Sequence, residues 1–286
     1  MTPHAHAASH EHGPETGPGG LVELLDLDAE VLHGYLTDVT SWVAAAAGRP
    51  VRTVLDVGAG TGTGTFALLE RFAGSEVVAL DVAEQMLDHL QGKADRLGLA
   101  DRVRTVQADL DGDWPGLAPV DLAWAASSLH HMADPDRALS RIRDLLRPGG
   151  LLAVTEMSSF PLFLPDDVGL GEPGLEARCQ VLHAEARAEH VPHQGADWGV
   201  WLSRAGFTVE ADRVFEVELT APLPAVARRY AQLSLRQMRT GLAGRVGPED
   251  QAVLDVLLDE HRPESVLRRP DLTVRATRFG WLARRA

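Results

Sequence analysis

The stretch Val54-Leu55-Asp56-Val57-Gly58-Ala59-Gly60-Thr61-Gly62-Thr63-Gly64-Thr65 decides how the rest of the chain is read. A short buried strand, Thr53–Val57, runs into a loop with glycine at alternate positions, and a helical run, Thr65–Phe72, follows. Glycine removes the side chain that would hold a ligand off the backbone, so this unit suits a nucleotide-type cofactor. Spacing narrows the choice. A dinucleotide pattern G-x-G-x-x-G begun at Gly58 and Gly60 needs glycine where Thr63 stands. Begun at Gly60 and Gly62, it needs glycine where Thr65 stands. No Gly-Lys-Ser/Thr ending follows, which excludes a P-loop.

Outward from the loop the chain alternates. Glu76–Asp81 reads as a strand, Glu84–Leu97 as a helix, and Arg102–Asp109 and Val120–Ser127 as strands. A helix at Asp136–Leu146 leads through the turn Arg147-Pro148-Gly149-Gly150 into the strand Leu151–Met157. Successive strand-then-helix units predict a parallel sheet covered on both faces, and right-handed crossovers make it doubly wound. Such sheets bind ligands at the carboxyl ends of their strands. After an irregular segment, Ser158–Gly174, helices are expected at Leu175–His190 and Asp197–Ala205, then a strand at Phe207–Leu219. Two further helical runs, Pro224–Met238 and Pro248–His261, fill an insertion over 221–271 before a final strand, Leu272–Ala283. Upstream, Leu24, Leu27, Val31, Tyr35, Val39 and Trp42 recur at helical spacing, giving N-terminal helices over Leu21–Ala47. The expected fold class is α/β, a doubly wound, seven-stranded, mostly parallel sheet with N-terminal helices and a helical insertion before the last strand.

Residues 1–20 hold clustered histidines and no apolar periodicity, and are expected to form a flexible tail. His4-x-His6 and His10-x-His12 lack the cysteine or acid that would complete a metal set, so no metal is expected. At 45% hydrophobic and 24% charged residues, the 286-residue chain can fill a sizeable core and is not disordered throughout. Apolar stretches such as Val120–Ala126 fall far short of the ~20 residues a membrane span needs, and the first residues show no secretory signal. One cysteine, Cys179, cannot form an internal disulfide, and a cytoplasmic location is the expectation. Forty-one acids against 27 bases leave −14, which works against a phosphate backbone as partner. Neither nucleic acid nor membrane is expected as a partner.

With these elements in order, the chain resembles the class I S-adenosylmethionine (SAM)-dependent methyltransferases, whose fold is Rossmann-like. The match is Asp56-x-Gly58-x-Gly60-x-Gly62, Asp81 ending the second strand, Asp109 ending the third, and Leu146-Arg147-Pro148-Gly149-Gly150 before the fifth. The resemblance implies a SAM-binding core over 50–157, lid helices over 21–49 and an acceptor side over 158–286. It implies that the backbone of Gly58, Ala59, Gly60 and Gly62 passes under methionine and ribose, and that Asp56 holds the amino-acid end directly or through water. Asp81 would accept from both ribose hydroxyls, a task for a carboxylate. Val82 and Met86 would pack on adenine, with Ala108, Asp109 and Leu110 taking its edge. Ser127-Ser128-Leu129-His130-His131 resembles the Leu-His-His segment of small-molecule members. That places Ser127 near the methionine end and makes His131 and His130 candidates for contact with the acceptor or for general base, since imidazole titrates near neutrality. A histidine that merely shapes the pocket is the alternative reading. Glu156, His183, His190 and His193 are further candidates on the acceptor side, and Tyr35 and Trp42 candidates for closing over the cofactor or for packing.

The implied reaction is in-line transfer of a methyl group from SAM to a small-molecule acceptor, leaving S-adenosylhomocysteine (SAH). The absence of an Asn-Pro-Pro-Tyr-type motif after the fourth strand argues against nucleobase or amide nitrogen. A non-catalytic SAM-binding protein and a protein acceptor stay open as alternatives, and so does the oligomeric state, a homodimer included.

Overall fold

Strand β1 (Thr53–Val57) is buried at four of its five positions and pairs in parallel with β2 (Glu76–Asp81) on one side and β4 (Val120–Ala126) on the other. A strand enclosed on both faces reads as a continuous apolar run, which is why Val54, Leu55 and Val57 flank a single acid. The computed structural model describes residues 18–157, 159–188 and 190–286. Its sheet has seven strands, with β3 (Val103–Gln107), β5 (Leu146–Glu156), β6 (Phe207–Leu219) and β7 (Val274–Arg285) completing the order β3-β2-β1-β4-β5-β7-β6. Only β7 runs against its neighbours, lying antiparallel between β5 and β6. The strand order reverses between β1 and β4, so the loops leaving these two strands part and open a crevice.

Helices cover both faces. Against one lie α2 (His33–Ala46), α3 (Thr63–Arg71) and α4 (Glu84–Arg96), burying Val39, Val43, Leu68 and Leu90 on Val54, Val77 and Trp124. Against the other lie α5 (Pro135–Leu145) and α7 (Trp198–Arg204), where Leu139, Ile142 and Trp198 pack on Leu55, Ala123 and Leu152. A third apolar cluster joins α1 (Pro18–Val31), α6 (Leu175–Ala188), α8 (Ala225–Gly241) and α9 (Pro248–Leu258) through Val31, Cys179, Leu235 and Leu254.

The seven expected strands are all present; the differences lie at their ends and in the helices. The first helix opens at Pro18, three residues inside the stretch expected to be a tail, and residues 1–17 lie outside the described residues. The Arg147–Gly150 turn lies within β5 rather than before it. Pairing jumps from Val120↔Leu146 to Leu122↔Leu151, with the extra residues looped out beside Asp121. That carboxylate explains the bulge: it accepts from the Arg52 and Thr53 N–H groups at 3.0 and 3.1 Å and from Arg147 Nη1 at 3.0 Å. Helix α6 runs over Leu175–Ala188, short of the expected end at His190, so His183 lies on the helix and His190 in the turn after it. Among the described residues no helix is long and apolar enough to cross a membrane, and no cluster of three or more potential metal ligands occurs.

Candidate cofactor and acceptor site

The glycine loop is pinned to the end of β2. The N–H groups of Gly58 and Ala59 both donate to Leu80 O, at 2.8 and 3.0 Å, and Gly62 closes the turn through Ala59 O. Gly58 has φ +73°, and a Cβ there would stand 2.4 Å from the Cβ of Ser128, so this glycine allows the loops after β1 and β4 to cross. Gly60, with φ +52°, differs. A Cβ there would meet nothing nearer than Leu25 Cδ1 of α1 at 3.9 Å, so its backbone is bare toward open space. Beside it the Thr61 hydroxyl is buried without a partner among the described residues. An open backbone next to an unpaired buried hydroxyl is what a polar ligand would complete, and the cradle fits the cofactor that the sequence implies.

The implied cofactor residues fall at three strand ends. Asp81 stands at the loop: Oδ2 accepts from Gly60 N–H at 2.8 Å and Oδ1 from Ala83 N–H at 2.9 Å. The carboxylate therefore ties β2, the loop and the start of α4 together, and each oxygen keeps a further lone pair. Val82 is an apolar side chain left 60% exposed, while Met86 is buried. Ala108 and Leu110 are buried, and exposed Asp109 accepts from Asp111 N–H at 3.0 Å. Asp56 is set apart. It is 2% exposed, and Oδ2 accepts from the Thr65 hydroxyl at 2.6 Å beneath the loop.

Burial pushes the Asp56 carboxyl up to about 7, the Thr65 hydroxyl opposing and the charge of Asp81 adding to it. The native protein thus holds this proton over a range in which the unfolded chain has lost it. Stability is expected to fall as pH rises from about 4 to about 7 and to level off above. Glu176, likewise pushed up to about 7 by burial, contributes a second share of the same slope. Asp56→Asn should flatten that fall by its own share in denaturation midpoints measured across the window. A slope unchanged by the substitution would mean that Asp56 is ionised in the folded protein.

At the end of β4, Ser127 takes φ +51°, an uncommon conformation for a residue with a side chain, and its N–H donates to Thr155 O at 2.8 Å. The next hydroxyl, Ser128, caps Val57 O at 2.7 Å. The segment Leu129–His131 then coils into a single 3₁₀ turn around Glu156. Oε1 of that buried acid receives the Leu129 and His130 N–H groups at 3.0 and 3.4 Å, and Oε2 lies 2.5 Å from His130 Nδ1. A carboxylate on Nδ1 fixes that nitrogen as the protonated one and leaves Nε2 as the chemically open position. His131 is exposed, its ring 4.1 Å from that of His130.

The other candidates separate. His183 packs edge-on against Phe160, 4.8 Å between centroids, and burial lowers its imidazole to about 4, so it is neutral. His190 is exposed, and His193 packs on Trp201 of α7. Trp42 packs edge-on against Phe215 and over Gly280, which makes it packing for the sheet. Tyr35 stands nearer the site, its hydroxyl bonded to the side chain of Thr155.

A methyltransferase domain family matches residues 55–152, the segment from the glycine loop to β5. The seven-stranded sheet around that segment has the fold of the class I SAM-dependent methyltransferases. The malonyl-[acyl-carrier protein] O-methyltransferase of Methylovorus sp. is 36% identical over 59% of this chain and 54% of its own length. The tRNA 5-carboxymethoxyuridine methyltransferase of Escherichia coli is 27% identical over 62% of this chain and 69% of its own. Among solved structures, a Bacillus halodurans C-125 protein assigned provisionally to the methyltransferases superposes with a TM-score of 0.56. It covers 87% of this chain and 98% of that one at 20% identity, a likeness of fold. The matches span from 25% to 69% of the length of the curated relatives.

What sequence reasoning missed is how α1 is fastened across the loop. Glu23 accepts from Arg229 of α8 at 2.8 and 3.1 Å, and Asp28 from the hydroxyl of Tyr230. On the other side Asp26 lies 2.8 Å from His89 Nε2 and 3.2 Å from Lys93 Nζ, both on α4. Leu25 faces Gly60 between these ties. Apolar spacing identified the helix, but acids on its other face carry no sign of distant partners.

Proposed function

We propose that this methyltransferase transfers the methyl group of SAM to a small-molecule acceptor by in-line displacement, leaving SAH. The observation that carries the reading is the open space beside Gly60, flanked by a Thr61 hydroxyl with no partner among the described residues and by a carboxylate, Asp81, at the crevice where strand order reverses. SAM supplies a methyl group already activated on sulfur, so the protein's task is mainly to hold the partners in line and keep water out. Asp81 would receive the ribose hydroxyls on its remaining lone pairs, and Val82 with Met86 would face adenine beside Ala108, Asp109 and Leu110. Asp56, beneath the loop, would reach the amino-acid end through water. Ser127 and the open Nε2 of His130 would border the acceptor, with Glu156 orienting the ring and His131 at the rim.

The relatives act on acceptors of very different size, by their names a malonyl group on a carrier protein and a tRNA nucleoside. A net charge of −14 works against a tRNA acceptor here and supports the smaller class.

Calorimetric titration with SAM, SAH and NAD tests the cofactor, and acceptor-dependent release of SAH tests turnover. SAM and SAH are expected to bind and NAD not to. Asp81→Ala should weaken SAM by about 1–3 kcal/mol, the usual worth of charged hydrogen bonds. An unchanged affinity would remove Asp81 from the ribose site.

A further inference from the structure

Arg278 is a buried cation whose partners in the fold are poor ones. It lies on β7 one residue beyond the pair Glu156↔Phe279 and is 3% exposed, so its guanidinium has given up water at a cost that only close, well-aligned partners offset. Its hydrogen bonds among the described residues are long. Nη1 donates to Thr277 O at 3.3 Å and Nη2 to Asp28 Oδ1 at 3.5 Å. Elsewhere in the molecule, more exposed arginines grip carboxylates through two nitrogens at ordinary distances: Arg178 holds Asp250 at 2.6 and 2.9 Å, and Arg269 holds Asp271 at 2.6 and 2.9 Å. Asp28 does not offer Arg278 that fork, because the same Oδ1 is taken by the Tyr230 hydroxyl.

The position is as telling as the geometry. Asp28 sits on α1 one turn past Leu25, the residue that faces Gly60. Tyr35 lies in the field of Arg278, Asp28 and Glu156, with its hydroxyl on Thr155, the residue before the acid that holds His130. Arg278 therefore stands at the ligand-binding end of the sheet, between the helix over the glycine loop and the Glu156–His130 pair. A planar guanidinium matches a carboxylate through two parallel hydrogen bonds. Asp28 and Glu156 lie close by, and their repulsion penalises a dianionic phosphate more than a singly charged carboxylate.

We propose that Arg278 anchors a carboxylate of the methyl acceptor, which takes from Asp28 its place on Nη2. This rests on the methyltransferase reading and adds to it the chemical class of the acceptor: a small organic acid.

The test uses the full chain loaded with SAH and matched acid and amide probes: hexanoate with hexanamide, phenylacetate with phenylacetamide, glutarate with glutaramide. At least one acid is expected to bind more tightly than its amide by calorimetry. Arg278→Gln should weaken that acid about 10- to 100-fold and erase the preference. Asp28→Asn, which removes the internal competitor, should strengthen it. Opposite signs separate an anchor from a tie that only holds α1 to β7, since loss of a tie would weaken binding in both variants alike. Should Arg278→Gln fail to fold, Arg278→Lys, which keeps charge without the fork, must lower the acid preference. No acid–amide difference in the wild type, or a preference that survives substitution of Arg278, overturns the proposal alone. Failure of SAH to bind would take the methyltransferase reading down together with it.

Discussion

Gly58→Ala should destabilise the protein by about 2–5 kcal/mol, the sum of a left-handed backbone forced on a residue with a side chain and of overpacking against a neighbour. The added carbon would stand 2.4 Å from the Ser128 Cβ, and Ser128 cannot withdraw freely because its hydroxyl caps Val57 O from a buried position. The loops after β1 and β4 would have to part, and with them the crevice. Chemical denaturation measures the loss, and a wild-type midpoint would show that the crossing is looser than it looks. Gly60→Ala is the control. Space around it is open to 3.9 Å, so the substitution should cost only the backbone strain in stability while lowering SAM affinity, where the methyl group would stand in the cradle. The two glycines share a motif, yet one is required by the fold and the other by the ligand.

Glu156→Ala carries the second large expected effect, a loss of about 3–5 kcal/mol, since each buried donor left without its acceptor costs about 1–3 kcal/mol. The acid is 3% exposed and gathers two backbone N–H groups and the His130 ring, all of which lose their acceptor together. Water does not replace it easily, because Leu129 and His130 are buried as well. Glu156→Gln keeps one oxygen for the backbone and should cost less stability. It should still reduce turnover once an acceptor is known, because an amide does not hold the imidazole as a carboxylate does. Equal stability of Glu156→Ala and the wild type would mean that the turn after β4 does not depend on this acid.

How far the sequence disclosed these features depended on their range. The central strands β1, β4 and β5 were legible as apolar runs, the trace that parallel buried strands leave, and β6 and β7 by alternation of apolar and polar residues. The glycine loop and the acids at 56, 81 and 109 were legible by spacing, since their positions follow from the strand ends. Sequence could not divide the labour among them. That Asp56 lies beneath the loop while Asp81 ties it from the side depends on which face of each strand the carboxylate takes. Glu156 appeared as one candidate among several, but its bond to His130 spans 26 residues and left no local signal. The C-terminal end of α6 and the start of β5 were misplaced for a related reason. Helical spacing runs on past Ala188, and the bulge at Arg147–Gly150 is held by Asp121 on a neighbouring strand.

The ties on α1 also bear on the order in which the molecule is built. Glu23 and Arg229 are separated by 206 residues, among the longest-range links in the structure. Closing so long a loop is slow and entropically costly, so such contacts form after the nearer ones. As the chain emerges from the ribosome, the strand–helix core can collapse around β1 while α1 waits for α8. Its few exposed ion pairs then make α1 the first element to detach when conditions turn unfavourable. The glycine loop would be uncovered before the sheet gives way, and hydrogen exchange should register α1 as a separate, weaker unit of the folded protein.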